Sequence, residues 1–265
     1  MIHPIYTCLW FDGQAKEAAK FYVSIFGNSR ITSDTGMIVN FELEGQKFMG
    51  LNGGPNFKFN PSISFYVMCD SVDEVNEKWA KLIDGGSALM EIGTYPWSER
   101  YGWLEDKYGV SWQFNLQSNG DVGKKILPSL LFTQTQLGNA PPGSDFEGML
   151  MYSSSILNGF PIVAMDGPAD HRFVFNEAVS FVVECDTQEE IDYLWITLTA
   201  DGGQESMCGW LKDRFGVSWK IVPSMLGKLM GDPEKGQRVI QAFLQMKKFE
   251  IQTEKPQTII DLLVL

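Results

Sequence analysis

The sequence predicts an α+β chain made of two tandem copies of one domain, each copy built of strand–helix–strands modules. Three matches predict it. ISFYVMCD at 63–70 returns as VSFVVECD at 179–186, an offset of 116 residues. The register holds into the next segment, where Val75, Trp79 and Leu82 match Ile191, Trp195 and Leu198. GWLEDKYGVSW at 102–112 returns as GWLKDRFGVSW at 209–219, with eight of eleven positions identical. Self-similarity at a fixed spacing is the signature of a duplicated structural unit. The last match has an offset of only 107, so the first copy carries a longer hairpin. GGPNFKFN at 53–60 also resembles DGPADHRFVFN at 166–176. The expected domains are 1–120 and 121–265.

Each element has a local cause. A strand is expected at 5–11, then a helix at 14–26 with Ala15, Ala18, Ala19, Tyr22 and Phe26 on one face. Gly27-Asn28 closes it, and strands follow at 37–43 and 47–51. Ile63, Phe65 and Val67 alternate with Ser64, Tyr66 and Met68, the period of a strand. Ser71 with Glu74, and Thr187 with Glu190, form capping boxes that start the next helices. Val72, Val75, Trp79 and Leu82 lie on one stripe, and Asp84-Gly85-Gly86 ends that helix. A strand at 110–116 closes the copy. In the second copy the strand at 130–132 is followed by TQTQLGNAPPGSDFEG, rich in Gly and Pro, so the first helix of that copy is expected to be missing. GDPEKGQRVIQAFLQMKKFEI predicts a late helix with Asp232 as N-cap and Pro233 at its first position.

Composition excludes several functions. The net charge is −12 and the pI about 4.6. Such a chain repels phosphate backbones, so neither nucleic acid nor an anionic membrane is an expected partner. No apolar run is long enough to span a bilayer, and the N-terminus does not read as a signal peptide. Cys8, Cys69, Cys185 and Cys208 stand in apolar, strand-like surroundings with no C-x-x-C pair. They read as reduced, buried thiols of a cytoplasmic protein. His3 and His171 are the only histidines, too few for a histidine-based metal centre.

Motif chemistry is sparse. No G-x-G-x-x-G joins a strand to a helix, and there is no P-loop, G-x-S-x-G or H-E-x-x-H. Asn52-Gly53-Gly54-Pro55 reads as a β-turn. Glu42 and Glu44 read as the wet face of a strand, and Glu74 and Glu77 as the solvated side of a helix. TYPWSERYGW at 94–103 packs four aromatic rings into ten residues, and the second copy lacks it. Tyr95, Trp97, Arg100 and Tyr101 are therefore candidates either for a lid over an apolar ligand or for packing between the two domains.

The segments CLWFDGQAKEAAKFYVSIFGNSRI, GQKFMGLNGGPNFKFN, FNEAVSFVVECDTQEEIDYLW and CGWLKDRFGVSWKIVP resemble the PhnB-like family. That family, once labelled demethylubiquinone 3-methyltransferase, belongs to the vicinal-oxygen-chelate (glyoxalase-like) superfamily. The resemblance covers nearly the whole chain, twice. It implies tandem glyoxalase-like domains of paired βαβββ modules with curved mixed sheets, whose concave faces hold ligands. It also implies metal-ligand positions on the first and last strands of each module in those relatives that use metal. By spacing these fall on Thr7, Ser64 and Gln113 in the first copy, and near Pro128, on Ser180 and on Lys220 in the second. None is a histidine or a carboxylate, so neither metal nor cofactor is expected.

The resulting expectation is a metal-independent protein that binds a small organic ligand through Thr7, Ser64, Tyr66 and Gln113, with Ser180 and Lys220 as the second-copy candidates. No catalytic residue is assigned. The alternatives are a metal-dependent lyase or dioxygenase of the superfamily and, last, the methyltransferase of the old label. A purely structural second copy, its pocket filled by its own side chains, is a third reading. The candidate assemblies are an internal pseudo-dimer and a homodimer. Gln113 is expected in an enclosed pocket, Lys220 either paired with an acid or in an open wet cup, and Trp112 and Trp219 on the helix side of their strands.

Overall fold

The computed structural model describes residues 3–117, 125–132, 152–167, 173–234 and 236–251. The element order is β1 (Tyr6–Phe11), α1 (Ala15–Val23), β2 (Arg30–Asp34), β3 (Ile38–Leu43), β4 (Gln46–Asn52), β5 (Ile63–Cys69), α2 (Val72–Leu82), β6 (Ser87–Tyr95), β7 (Ser98–Glu105), β8 (Ser111–Leu116), β9 (Ile126–Phe132), β10 (Ser153–Leu157) and β11 (Phe160–Asp166). It continues with β12 (Val179–Cys185), α3 (Gln188–Thr199), β13 (Gln204–Glu205), β14 (Trp210–Lys212), β15 (Ser218–Pro223), α4 (Leu226–Met230) and α5 (Gly236–Phe243). The segment expected to lack a helix in the second copy, after β9, lies outside the described residues, as does His171.

The strands form two mixed sheets, ordered β13-β14-β15-β12-β1-β4-β3-β2 and β10-β11-β9-β5-β8-β7-β6. The second sheet joins β5–β8 of the first sequence copy to β9–β11 of the second. The sheets therefore do not follow the expected division at 120/121. Matched modules present matched strand edges, so a strand can pair with its own copy or with the other, and a repeat read along the chain does not say which. Compact units follow neither scheme. One, here the central unit, is Leu9–Ala178, and the other, the terminal unit, is Met1–Cys8 with Val179–Leu265.

In the central unit, β5 pairs parallel to β8 and antiparallel to β9. Strand alternation sends Phe65, Val67, Trp112 and Phe114 to the side covered by helices. All four are fully buried. Trp112 lies 5.3 Å from Tyr22, 5.2 Å from Phe26 and 5.2 Å from Phe65, as the sequence pattern requires. Each such side chain contributes about 1.5–3 kcal/mol by leaving water.

Both expected caps form. Glu74 N–H donates to the Ser71 hydroxyl at 3.1 Å, and the Glu74 carboxylate accepts from Asp70 N–H at 2.7 Å. Thr187 and Glu190 repeat this at 3.3 and 2.9 Å. The return bond goes to the residue before the cap rather than to the cap itself.

Three surface expectations change. Glu44 is a hairpin corner with φ +48, followed by Gly45 at φ +74, and is not a strand residue. Its half-buried carboxylate lies 3.6 Å from Lys78, which also binds Glu74 at 2.6 Å, so Glu74 is not simply solvated. The late helix starts at Gly236 rather than Pro233. Asp232 instead caps a turn, accepting from Glu234 N–H through its side chain and from Gly236 N–H through its carbonyl.

In the terminal unit, β12 pairs parallel to β15, and β14 pairs antiparallel to β15. The hairpin here is short, and a segment near the C-terminus serves the edge instead. Cys208 and Gly209 N–H groups donate to Met246 and Lys247 carbonyls at 2.6 and 2.7 Å. Gly209 sits at φ +79, and a Cβ there would stand 2.5 Å from both the Ile221 carbonyl and the Phe249 ring. A Cβ on its counterpart Gly102 would stand just as close to the Trp79 ring, at 2.5 Å.

Candidate functional site: the helix-free sheet faces

On the side of β5, β8 and β7 away from the helices, three polar groups make one chain of hydrogen bonds. Tyr101 Oη donates to Gln113 Oε1 at 2.7 Å, and Gln113 Nε2 donates to Ser64 Oγ at 2.6 Å. All three residues are at least nine-tenths buried. Register explains the convergence, because Tyr66 lies opposite Gln113, Trp103 opposite Gln113, and Tyr101 opposite Asn115. Trp103 Nε1 donates to Ser111 Oγ at 2.7 Å beside them. Gln113 is buried, at 4% exposure.

Tyr95 and Trp97 stack at 5.1 Å and close edge-on over Tyr101, at 5.5 and 5.6 Å. Tyr101 in turn lies 6.4 Å from Tyr66. Arg100 points the other way and donates to Asn76 of α2 at 2.8 Å. The aromatic tip of this hairpin is thus continuous with the polar chain, whereas Arg100 is separate from it.

Burial first, and then the neighbouring Tyr66 and Tyr95, raise the Tyr101 phenol well above its ordinary range. Burial also raises that of Tyr66. Both phenols stay protonated donors around neutral pH. Two oxygens on this face have no hydrogen-bond partner among the described residues, Ser129 Oγ and Asn115 Oδ1. Ser129 stands directly opposite Ser64 in the β5–β9 ladder. A buried polar atom left unpaired costs about 1–3 kcal/mol, which a hydrogen-bonding guest would recover.

Two of the expected positions fall elsewhere. Thr7 is on β1, in the other sheet, and does not join Ser64 and Gln113. Pro128 stands opposite Phe65, on the helix side, and its neighbour Ser129 takes the place beside Ser64. The same one-residue slip applies on β1, where Cys8, not Thr7, is the neighbour of Lys220. Slipping a strand by one residue turns its whole side-chain set to the opposite face. Sequence spacing does not resolve one residue in so short a strand.

The matched face of the terminal unit carries different chemistry. Lys220 replaces Gln113, and Cys208 replaces Tyr101. Lys220 is 7% exposed, with Nζ 4.0 Å over the centre of the Trp210 ring. Among the described residues no carboxylate pairs with it, and at 7% exposure it does not stand in an open wet cup. The Trp210 indole donates to Ser180 at 3.2 Å.

These residues do not fit a divalent metal. Ser64, Ser129 and Gln113 offer neutral oxygens, where such an ion needs imidazole, carboxylate or thiolate. Among the described residues no group of three His, Cys, Asp or Glu is arranged to hold one. His3 instead meets Asp186 at 2.7 Å on the exposed surface.

Residues 3–115 and 125–222 match the family model described as 3-demethylubiquinone-9 3-methyltransferase. The chain belongs to this family. Among solved structures, this family member is similar to a PhnB protein from Bacillus cereus, at 40% identity over 43% of this chain and all of that one, with TM-score 0.41. It is also similar to glyoxalase I from Zea mays, at 10% identity over 83% of this chain and 92% of that one, with TM-score 0.51. The second likeness shows the fold, a tandem glyoxalase-like one. Comparison with curated proteins yields no match.

Proposed function

We propose that this family member is a metal-independent binder of a small organic molecule, held on the helix-free face around Ser64, Tyr66, Tyr101 and Gln113. The observation that carries this reading is the pair of unpartnered oxygens, Ser129 Oγ and Asn115 Oδ1, on the face that also holds the Tyr101–Gln113–Ser64 chain. Hydroxyl and amide groups suit a neutral ligand carrying a hydroxyl or carbonyl, and the rings of Tyr66, Tyr101 and Trp103 suit a planar apolar body. Tyr95 and Trp97 would cover it. Tyr66 and Tyr101 are held protonated by burial, and Ser64, Gln113, Ser129 and Asn115 are hydroxyls and amides. The hydrogen-bonding groups around Gln113 therefore support binding over acid–base chemistry there. The carboxyl on this side of β7, Glu105, stands opposite Ser111, with its pKa raised by burial.

Thermal denaturation in the presence of small phenols, quinones, amides and ketones tests the proposal. At least one compound is expected to raise the melting temperature of the wild type and not that of Gln113→Leu, with both folded by circular dichroism. Equal stabilisation of both proteins, or stoichiometric zinc, nickel, iron or manganese in the purified wild type, would overturn it.

A further inference from the structure

Lys220 is a buried amine without an anion. Among the described residues no carboxylate lies within ion-pair distance of it. Glu184, on the same face of β12 by strand period, instead accepts a hydrogen bond from Tyr6 at 2.8 Å. The groups around Lys220 are the Trp210 ring, at 4.0 Å, and the buried thiols of Cys8 and Cys208. Register gives the same picture, with Lys220 opposite Trp210 on one side and Val182 on the other.

From this geometry we propose that Lys220 is a carbonyl-condensing amine, taking a small aldehyde or ketone as an imine against the Trp210 ring. An ammonium removed from water with no counter-ion is costly, so such a lysine favours the neutral, nucleophilic form. The shifts agree with the geometry. Burial lowers the Lys220 pKa, and burial raises those of Cys8 and Cys208, which keeps the thiols from becoming counter-ions. Trp210 is half-buried and its indole is held by Ser180, so the ring is a fixed flat wall beside the amine.

The chemistry balances without an oxidant or reductant. The Nζ lone pair attacks the carbonyl carbon, and the C=O π pair moves to oxygen. A proton passes from nitrogen to that oxygen, giving a carbinolamine. Loss of the hydroxyl with the second nitrogen proton releases one water and leaves the C=N bond. This site is independent of the ligand face proposed in the central unit, and either can fail alone.

The test is reductive trapping on the intact wild-type protein at pH 7, with benzaldehyde and sodium cyanoborohydride, read by peptide mass mapping. An exposed lysine is almost entirely protonated at pH 7, so Lys220 is expected to label about tenfold faster or more. Lys16 and Lys247, both more than half exposed, are the internal references. Lys220→Arg, folded by circular dichroism, is expected to lose the fast adduct and keep the slow ones. Labelling of the exposed lysines with Lys220 unmodified would overturn the proposal, as would a fast adduct that survives in Lys220→Arg.

Discussion

Asp106 and Asp213 show how one side chain builds the same turn twice. Asp106 Oδ1 accepts from Tyr108 and Val110 N–H groups at 2.8 and 3.0 Å, and Oδ2 accepts from Trp112 Nε1 at 2.9 Å. Asp213 repeats all three bonds, to Phe215, Val217 and Trp219, at 2.9, 3.0 and 3.0 Å. Asp106 has a fourth donor, Tyr22 Oη at 2.8 Å, and is the more deeply buried of the two. An asparagine accepts through one oxygen only, so its amide would meet donors. Asp106→Asn is expected to cost about 3 kcal/mol and Asp213→Asn about half that, measured by urea denaturation. Equal costs would show that Tyr22 and burial contribute nothing. On the face of β5, β7 and β8 away from the helices, Tyr101→Phe leaves Gln113 Oε1 without its donor and is expected to cost about 1–2 kcal/mol with the fold retained.

At the scale of elements, caps and edges matter most. Ser71→Ala and Thr187→Ala each remove an N-cap acceptor and are expected to cost about 1 kcal/mol in denaturant melts. Glu74, in the same first turn, links stability to pH. Burial raises its pKa, but hydrogen bonds from Lys78 and Asp70 N–H outweigh that, and the net value lies below the ordinary one. A depressed folded pKa contributes stability that is present above the ordinary glutamate value, about 4.3, and lost as pH falls through the folded value. The urea midpoint is therefore expected to fall between pH 6 and pH 3, and to fall less in Glu74→Gln. Equal losses would remove Glu74 from the acid response. Gly209→Ala places a methyl against the Phe249 ring, so the segment at 246–251 should gain protease sensitivity. An unchanged digestion pattern would contradict that close approach.

At the scale of the molecule, the repeat contacts itself reciprocally. Asn60 Nδ2 donates to the Val174 carbonyl at 3.0 Å, and its counterpart Asn176 donates to the Lys58 carbonyl at 2.9 Å. Each amide oxygen then accepts from the residue two positions on, Ser62 and Ala178, both at 2.9 Å. The β5 edge is likewise satisfied only by β9, which comes from the second copy. A fragment ending at residue 117 would leave that edge bare, and bare edges pair with other chains. Such a fragment is expected to self-associate, measured by sedimentation equilibrium. A stable monomer would show that the edge needs no partner.

Duplication, both caps, the helix stripes and the inward tryptophans were legible in the sequence, because each depends on residues within a turn or two of one another or on identity between copies. The replacement of Gln113 by Lys220 was legible too, once the copies were aligned. Which strands share a sheet was not, since equivalent edges compete and only closure of the whole fold selects a partner. That choice removed Thr7 from the candidate face and brought Ser129 to it. Nor could spacing show Lys220 under the Trp210 ring with no acid beside it among the described residues. The environment of a buried charge depends on every element packed around it, and those elements meet only in three dimensions.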